Sequence, residues 1–443
     1  MSRMQSAELE RSSNQLSVCK WGLGVRIAFR FCFLYFGLYC LLTWILWGMI
    51  PLVGYEIPDL GTLPPFREIV IWTAGHVFAY KQSLVYSGSG SGDKVFDWVQ
   101  VFCFIAIALL GTCVWSAVDR RRTHYESVYT WFHVFLRFAV AGQLFEYGIT
   151  KVIPMQMPFP FLTRLLERFG DFSPMGVLWY SVGAAPAYER FVGTAELVGG
   201  LLLIIPGTSM LGALICLADM IEVFAINMTY DVPVKLFSFH MILMALLLLL
   251  PDRRRLVQFC FQDCAVQRPR TRRLFARVHA NRIAVAGQII LGLSLLATVL
   301  YQASHDWPKF GGGAPKSALY GIWNVDEMRI DGVIRSPLLT DYERWRRVVF
   351  DGPGSMAFER MDDSFGTFTS VFDPKQSTLA LSKRGDRKST GQLSVLQQGH
   401  GHMALGGKLG PHRITMQLTL MDRSKFLLVS RRFHWIQDYP FNR

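Results

Sequence analysis

Charged and hydroxyl-bearing side chains lie within a sequence segment that is otherwise apolar enough to cross a bilayer. The segment from Glu126 to Lys151 contains Arg137, Glu146 and Tyr147 among apolar residues. Charged groups in hydrocarbon are costly, so they persist only where they pair, face a bundle interior or line a wet cavity. This pattern predicts a functional site inside a membrane-spanning helix.

Four polar residues follow the helical repeat toward the end of this segment: Gln143, Glu146, Tyr147 and Thr150. Their spacing of i, i+3, i+4 and i+7 predicts that they share one helix face. Arg137 is expected to lie deeper in the same helix, about half a turn around from Glu146.

Two further apolar segments carry acidic residues, Glu196 in one and Asp219 with Glu222 in the next. Asp219 and Glu222 are three residues apart, which places them on one helix face. Two neighbouring carboxylates in a medium of low dielectric constant cannot both stay ionised without a cation, so one holds a proton or binds something positive. The available cationic partners are Arg30, Arg137, Lys151, Lys235 and His240.

Three interpretations of these residues remain open. The first is a purely structural network of buried ion pairs. The second is a proton-handling site for quinone redox chemistry, to which Glu146, Tyr147 and His240 are suited because carboxyl, phenol and imidazole groups move protons. The third is a transport path. The carboxylates lack a His in an ExxH pattern, which argues against a di-iron bundle.

The composition is typical of a membrane protein. Of the 443 residues 51% are hydrophobic, and the mean hydropathy is +0.26. The net charge of +13 is concentrated beside apolar segments, with nine arginines between Pro251 and Arg282. Cytoplasmic loops of membrane proteins have this pattern, so we expect contact with membrane lipids and not with nucleic acid.

Seven apolar runs predict a membrane all-α bundle of about seven transmembrane helices. The runs are approximately Val25–Val53, Phe96–Val118, Glu126–Lys151, Val192–Ile205, Ser209–Met228, Val234–Leu250 and Ile283–Tyr301. Basic residues before the first run place the amino terminus in the cytoplasm, and seven crossings place the carboxyl terminus outside. The segment after Lys151 is expected to form an ordered cap on the membrane, with a helix at Phe161–Phe169 over the bundle.

From Tyr320 onward, short alternating segments separated by turn residues predict an all-β domain. The expected strands are Gly321–Ile330, Arg344–Phe350, Ser355–Met361, Phe365–Phe372, Thr378–Lys383, Gly391–Gln398, Arg413–Leu420 and Phe426–His434. Eight strands suit a small antiparallel barrel, and the Gly-Ile-Trp at its start is similar to the first strand of lipocalin-type barrels. Trp323, Trp345 and Trp435 are expected to pack in its core or rim.

No metal site is predicted. His400 and His402 would point the same way on a strand, but a glycine-flanked turn explains them equally well and no third ligand lies near in sequence. Of the eight cysteines only Cys260 and Cys264 are close, and their spacing is not CxxC.

The membrane part resembles the DoxX-like superfamily, which includes the quinone-reducing subunit of archaeal thiosulfate oxidation. The resemblance is carried by four blocks: Arg137–Met157, Gly170–Gly176, Phe191–Ile204 and Tyr230–Leu256. It implies a core of four spans, about residues 126–256, and partner subunits for redox members. It also implies a polar centre lined by Arg137, Tyr147, Lys151, Glu196 and His240. The bundle is also distantly similar to the vitamin K carboxylase membrane domain.

The sequence therefore predicts a disordered cytoplasmic tail (1–20), a helical bundle (21–302), a linker (303–318) and a periplasmic lipocalin-like barrel (319–443) in a bacterial inner membrane. The expected function is a quinone-linked oxidoreductase, or a membrane subunit of one. Its predicted catalytic residues are Arg137, Glu146, Tyr147, Lys151, Glu196, Asp219, Glu222 and His240, with Arg137 holding the carboxylate charges in place. The alternative is a non-enzymatic anchor whose barrel binds a lipid or another hydrophobic ligand.

Overall fold

The computed structural model describes residues 21–54, 58–262, 273–383, 389–399, 401–431 and 433–442. The chain forms two compact units. The first unit, the bundle, extends to Val152 and resumes from Arg190 to Ala303. The second unit, the barrel unit, contains Ile153–Glu189 and the chain from Ser304 onward.

The helices follow one another closely through the first three hundred residues. In chain order they are α1 Leu23–Leu42, α2 Phe66–His76, α3 Val95–Val118, α4 Glu126–Val152, α5 Leu162–Leu166, α6 Pro174–Gly183, α7 Pro186–Ile204, α8 Ser209–Thr229, α9 Lys235–Leu249, α10 Arg253–Phe261 and α11 Val278–Phe310, followed late in the chain by the short α12 Leu427–Ser430.

Within the described residues, five helices are long and apolar enough to cross a membrane. They are α1, α3, α8, the continuous helical stretch Lys235–Phe261 and α11. The expected spans formed by α4 and α7 are helical but lie outside this set. Five of the seven expected spans thus have the length and composition of membrane-crossing helices, and the count of seven stays a prediction.

The first span is shorter than its apolar run. α1 ends at Leu42, Thr43 adopts an extended conformation, and Trp44–Met49 forms a 3₁₀ helix. This 3₁₀ helix packs closely on α4, since a Cβ on Gly142 would lie 2.0 Å from the Gly48 carbonyl oxygen. Hydropathy alone could not show this break, because the run stays apolar through it.

Glycines allow α7 to pack closely against both α4 and α8. A Cβ on Gly193 of α7 would lie 2.7 Å from the carbonyl oxygen of Gly148 on α4. A Cβ on Gly212 of α8 would lie 2.8 Å from the carbonyl oxygen of Gly199 on α7. Small residues let helix backbones approach in this way in membrane proteins. The three helices therefore present their side chains to one another at short range.

Arg30 ties α1 to the connection between α3 and α4. Its guanidinium donates to the Ser116 hydroxyl (2.7 Å), the Tyr125 hydroxyl (2.6 Å) and the Asp119 carbonyl oxygen (2.9 Å). The Tyr125 hydroxyl in turn donates to the Asp119 carboxylate at 2.8 Å. Arg30 is thus a structural residue of this connection, and no ion pair joins it to Asp219 or Glu222 among the described residues.

The second unit contains a closed antiparallel β-barrel. Its strands are β1 Gly321–Ile330, β2 Val333–Ile334, β3 Trp345–Phe350, β4 Ser355–Arg360, β5 Phe365–Asp373, β6 Thr378–Lys383, β7 Ser389–Gln397, β8 His402–Leu409 and β9 His412–Leu420. Among the described residues, eight strands close the barrel through pairing of β1 with β9, while the two-residue β2 pairs only with β1. Closure removes exposed sheet edges.

The predicted barrel is confirmed, but one of its expected strands is wrong. Phe426–His434 contains the short helix α12, and the barrel closes through β9 instead. The strand β8 was not predicted, because Gly406 and Gly407 interrupt its alternation of apolar and polar residues. The alternation in Phe426–His434 was misleading, because no strand pairs with the described residues of that segment.

Apolar side chains fill the barrel interior. Trp345 stacks on Phe358 with ring centroids 4.2 Å apart, and Phe358 contacts Phe368 at 5.4 Å. Trp323 is also buried, and its indole N–H donates to the Leu319 carbonyl oxygen at 2.9 Å. Trp435 is 90% exposed, so its expected packing in the core is wrong. A filled interior gives little support to a ligand-binding barrel.

The helix α5 packs on the outside of the barrel. Leu162 contacts Ile322, Val349 and Ala357 in one apolar cluster, and its backbone N–H donates to the Asp351 carboxylate at 2.8 Å. Burial raises the pKa of the Asp351 carboxyl, while the hydrogen bond from Leu162 opposes that rise. The segment expected to cover the bundle therefore belongs to the barrel unit.

We predict that Phe358→Ala destabilises the barrel by about 3–5 kcal/mol, because it leaves a cavity between the Trp345 and Phe368 rings. Hydrogen exchange of the β3 and β4 peptides in the full chain measures this change. The matched control is Phe433→Ala, since Phe433 is 76% exposed; it should change the stability by less than about 0.5 kcal/mol. Equal effects of the two substitutions would contradict a packed barrel core.

Candidate functional site

A buried ion pair joins α4 to α7. The Lys151 ammonium donates to Glu196 Oε1 at 2.5 Å, and the two residues are 8% and 1% exposed. The close contact of Gly193 with Gly148 allows this geometry, because no side chain separates the helices there. The second carboxylate oxygen, Glu196 Oε2, is buried without a hydrogen-bonding partner among the described residues. A buried pair is stable only if its remaining hydrogen-bonding capacity is also satisfied.

Tyr147 and Phe237 form an aromatic wall beside the ion pair. The Lys151 ammonium lies 5.5 Å from the centroid of the Tyr147 ring, within the range of a cation–π interaction. The Tyr147 ring packs on Phe237 of α9 at 5.3 Å. The site therefore combines an ammonium, a carboxylate and a phenol with an apolar aromatic surface.

Asp219 of α8 adds a second carboxylate to the site. It is half-buried, and its Oδ2 is buried without a hydrogen-bonding partner in the described part of the chain. Its charge interacts with those of Glu196, Lys151 and Glu222. Glu222 lies three residues further along α8 and is exposed. The structure thus brings Lys151, Glu196 and Asp219 together, with Glu222 at their edge.

Arg137 does not hold these carboxylates, so its predicted role is wrong. Its guanidinium donates to the Leu203 carbonyl oxygen at 2.6 and 2.7 Å and to Gln288 Oε1 at 3.1 Å. Leu203 lies in the last turn of α7, where carbonyl groups have no partner within the helix and a cation is favourable. Fourteen residues of α4 separate Arg137 from Lys151, a distance of about 21 Å along the helix.

Glu146 also lies outside the site formed by Lys151, Glu196 and Asp219. The structure buries Gln143 and half-buries Tyr147 and Thr150, but the Glu146 side chain is exposed. The helical repeat correctly grouped these residues on one side of α4. It did not show that Glu146 lies at the edge of that group, where no other helix covers it.

His240 forms a separate cluster with two tyrosines of α1. Its Nδ1 lies 2.6 Å from the Leu236 carbonyl oxygen and its Nε2 lies 2.6 Å from the Tyr35 hydroxyl. A carbonyl oxygen only accepts, so Nδ1 carries the hydrogen and Nε2 accepts from Tyr35. The ring also stacks on Tyr39 at 3.8 Å.

Sequence reasoning missed Tyr35 and Tyr39 in α1. Both are buried. The His240 cluster lies next to the ion-pair site, because Phe237, three residues before His240 on α9, packs on Tyr147 at 5.3 Å. The available signal was two tyrosines spaced i and i+4 within an apolar helix, a spacing that puts both on one face.

Lys235 has partners of its own. Its ammonium pairs with Asp231 at 2.9 Å, and its backbone N–H donates to the Asp93 carboxylate at 2.8 Å. Asp93 thereby caps the start of α9 from the loop before α3.

Within the described residues, no group of three or more His, Cys, Asp or Glu side chains is arranged to hold a metal ion. His400 lies outside the described residues.

The arrangement offers both hydrogen-bond donors and acceptors to a small ligand. Lys151 and the Tyr147 hydroxyl can donate, whereas Glu196 Oε2 and Asp219 Oδ2 can accept. Groups of these types exchange protons with a ligand within hydrogen-bonding distance. Their position in helices of a membrane bundle is typical of functional ionisable residues.

Comparison with known proteins gives little guidance on function. No family model matches this chain, and no solved structure matches it. A curated protein named as the uncharacterized protein YwoB of Bacillus subtilis (strain 168) is 29% identical over 152 residues, which cover 32% of this chain and 88% of that protein. The resemblance to the DoxX-like superfamily therefore stays a prediction.

We predict that Lys151→Met destabilises the bundle by about 3–5 kcal/mol, because it leaves Glu196 buried without its cation. The double variant Lys151→Met/Glu196→Gln should recover most of this loss, since it removes both charges. Denaturant unfolding of the full chain in detergent measures the coupling between the two positions.

The matched control is Lys235→Met, which removes an ammonium that pairs with the exposed carboxylate of Asp231. It should cost less than about 1 kcal/mol. If Lys151→Met costs no more than Lys235→Met, the Lys151–Glu196 pair is not a buried ion pair.

Proposed function

We propose that this chain is a membrane subunit of a quinone-linked oxidoreductase, with its proton-handling site at Tyr147, Lys151 and Glu196. The observation that carries the proposal is the buried Lys151–Glu196 pair with its unpartnered carboxylate oxygen. A purely structural ion pair needs no free hydrogen-bonding capacity, whereas a site that exchanges protons with a ligand does.

The residues fit the headgroup of a quinone. Quinone carbonyl oxygens accept hydrogen bonds, and the Lys151 ammonium and the Tyr147 hydroxyl are suitable donors. Quinol hydroxyls donate, and Glu196 Oε2 is a suitable acceptor. The aromatic rings of Tyr147 and Phe237 offer an apolar surface for a flat ring. A bound quinone would supply reversible uptake of electrons together with protons.

In this proposal the chain holds and moves protons, and the electrons come from a partner subunit. Lys151 keeps Glu196 ionised and oriented, because its ammonium binds one carboxylate oxygen. The free oxygen then takes a proton from a ligand hydroxyl or returns one. Lys151, Tyr147 and Glu196 lie in the blocks that carry the DoxX-like resemblance, which supports the same assignment.

The alternative, a membrane anchor that presents a ligand-binding barrel, has less support. The barrel interior is occupied by Trp345, Phe358 and their apolar neighbours. A hydrophobic ligand would have to displace that core at the cost of its packing.

We expect the full chain in detergent to bind a short-chain ubiquinone, with bound quinone quantified by equilibrium dialysis. Lys151→Met/Glu196→Gln should bind it about 10- to 100-fold more weakly, because hydrogen bonds to charged groups contribute about 1.5–3 kcal/mol. Glu146→Gln is the matched control, since it removes an exposed carboxylate five residues from Lys151 on the same helix. Unchanged binding by the double variant would refute the proposed site.

We propose further that α4 and α7 also cross the membrane, so that the bundle has seven spans. The segment between them, Ile153–Glu189, belongs to the barrel unit and therefore lies on the same side as the barrel. Three apolar helices, α8, Lys235–Phe261 and α11, separate the turn after Ile204 from the barrel. That turn is then on the opposite side, so α7 crosses.

The same reasoning supports a crossing of α4. His133 near its start contacts the Leu248 carbonyl oxygen at the end of α9, at 3.2 Å. The end of α9 lies on the side opposite the barrel, while the chain after Val152 lies on the barrel side. With basic loops inside, the amino terminus is cytoplasmic and the barrel is periplasmic in a bacterial inner membrane.

This topology predicts that Ser181→Cys is labelled from outside intact cells. Ser181 is exposed on α6, so in a chain whose eight native cysteines are replaced it should react with a membrane-impermeant maleimide. A five-span chain that lacks crossings of α4 and α7 would place Ser181 inside. Labelling only after the cells are opened would therefore refute the seven-span arrangement. Cysteine at Gly207 is the opposite control and should react only in opened cells.

A further inference from the structure

The carboxylates of the site outnumber its cations. Glu196, Asp219 and Glu222 interact with one another and with a single lysine, Lys151. The ammonium is bonded to Glu196, which leaves Asp219 without a counterion of its own. A half-buried carboxylate beside other carboxylates cannot stay ionised without such a counterion.

We propose that Asp219 holds a proton and relays it between Glu196 and Glu222, so that these three carboxylates form a proton path from the buried ion pair toward the Thr229 end of α8. This inference deepens the proposed function, because it names the route by which the site exchanges protons. It does not depend on the identity of the substrate, since the relay serves any ligand that takes protons from Glu196 or gives them to it.

Burial increases stepwise along the path. Glu222 is exposed, Asp219 is half-buried and Glu196 is 1% exposed. Asp219 Oδ2 and Glu196 Oε2 are both buried without hydrogen-bonding partners among the described residues. They lie on α8 and α7, which pack closely at Gly212 and Gly199. Two unpartnered carboxylate oxygens on adjacent helices leave room for proton exchange.

The path leads toward the C-terminal end of α8. Asp219 and Glu222 share a face of α8, and Glu222 is about 4.5 Å further along the helix axis. That displacement is toward Thr229, where α8 ends and the chain turns back into α9. Under the proposed topology this end of α8 is the periplasmic one.

Other charged groups near Asp219 do not supply a counterion. Cys216, one turn earlier on α8, is buried, and its thiol cannot carry a positive charge. On α4, Tyr147 lies beside Lys151. On α9, Lys235 is paired with Asp231, and His240 is bonded to Tyr35. Arg137 is bonded to Leu203 and Gln288.

The relay requires only proton transfer. The protonated Asp219 carboxyl gives its proton to the Glu196 carboxylate, so one O–H bond breaks and another forms. Asp219 is then a carboxylate and takes a proton from Glu222. Glu222 is resupplied from water at the Thr229 end of α8, seven residues further along the helix. The reverse order releases a proton, and neither direction needs an oxidant or a reductant.

Carbodiimide labelling tests the protonation of Asp219 directly. Dicyclohexylcarbodiimide is apolar and adds to protonated carboxylic acids to form a stable N-acylurea. In the full chain in detergent at neutral pH, without quinone, mass spectrometry should find Asp219 labelled at least about tenfold more than Asp231, an exposed carboxylate that pairs with Lys235. In Lys151→Met, Glu196 should become labelled as well, because it loses its cation and takes up a proton.

A second measurement does not depend on access of the reagent. The infrared carbonyl stretch of a protonated carboxylic acid should be weakened in Asp219→Asn relative to the wild-type chain, with Asp231→Asn as the control that leaves it unchanged. The proposal is overturned if this band is unchanged by Asp219→Asn, or if Asp219 is labelled no more than Asp231. Both experiments are done without quinone, so failure to bind quinone would refute the proposed function and leave this result standing.

Discussion

The ion pair between Lys151 and Glu196 is the interaction on which the polar centre depends. Each charge alone would be very costly at 8% and 1% exposure, and the pair forms only because α4 and α7 approach closely at Gly148 and Gly193. A side chain at either glycine would separate the helices and with them the two charges. Helix packing and charge compensation are therefore one constraint here, and it places Tyr147 and Asp219 beside the pair.

The same constraint explains why α4 and α7 are less apolar than the five helices that are apolar enough to span a membrane. α4 carries Arg137 and Lys151, and α7 carries Glu196, so neither belongs to the five helices that hydropathy identifies. Their polar groups are compensated by each other and by carbonyl oxygens such as that of Leu203. A helix with such internal partners can cross a membrane without a continuous apolar surface.

The sequence predicted the helices and strands well, but it predicted the bonding partners of the charged side chains poorly. Apolar runs and alternation are local, so they located the helices and most strands, with β1 and β6 at the predicted bounds. The partner of a charged side chain depends on which helices meet, and periodicity does not contain that information. Arg137 therefore bonds an α7 carbonyl group instead of a carboxylate, and His240 bonds Tyr35. The Lys151–Glu196 contact depends on glycine contacts that appear only in three dimensions.

The chain segment between the two helices of the ion pair folds with the barrel. Ile153–Glu189 joins the end of α4, beside Lys151, to the start of α7, before Glu196, and this segment is folded into the barrel unit by α5 and Asp351. The conformation of this segment is thus set by contacts within the barrel unit. Since the barrel interior is filled, a role of the barrel in holding this segment has more support than binding of a ligand inside it.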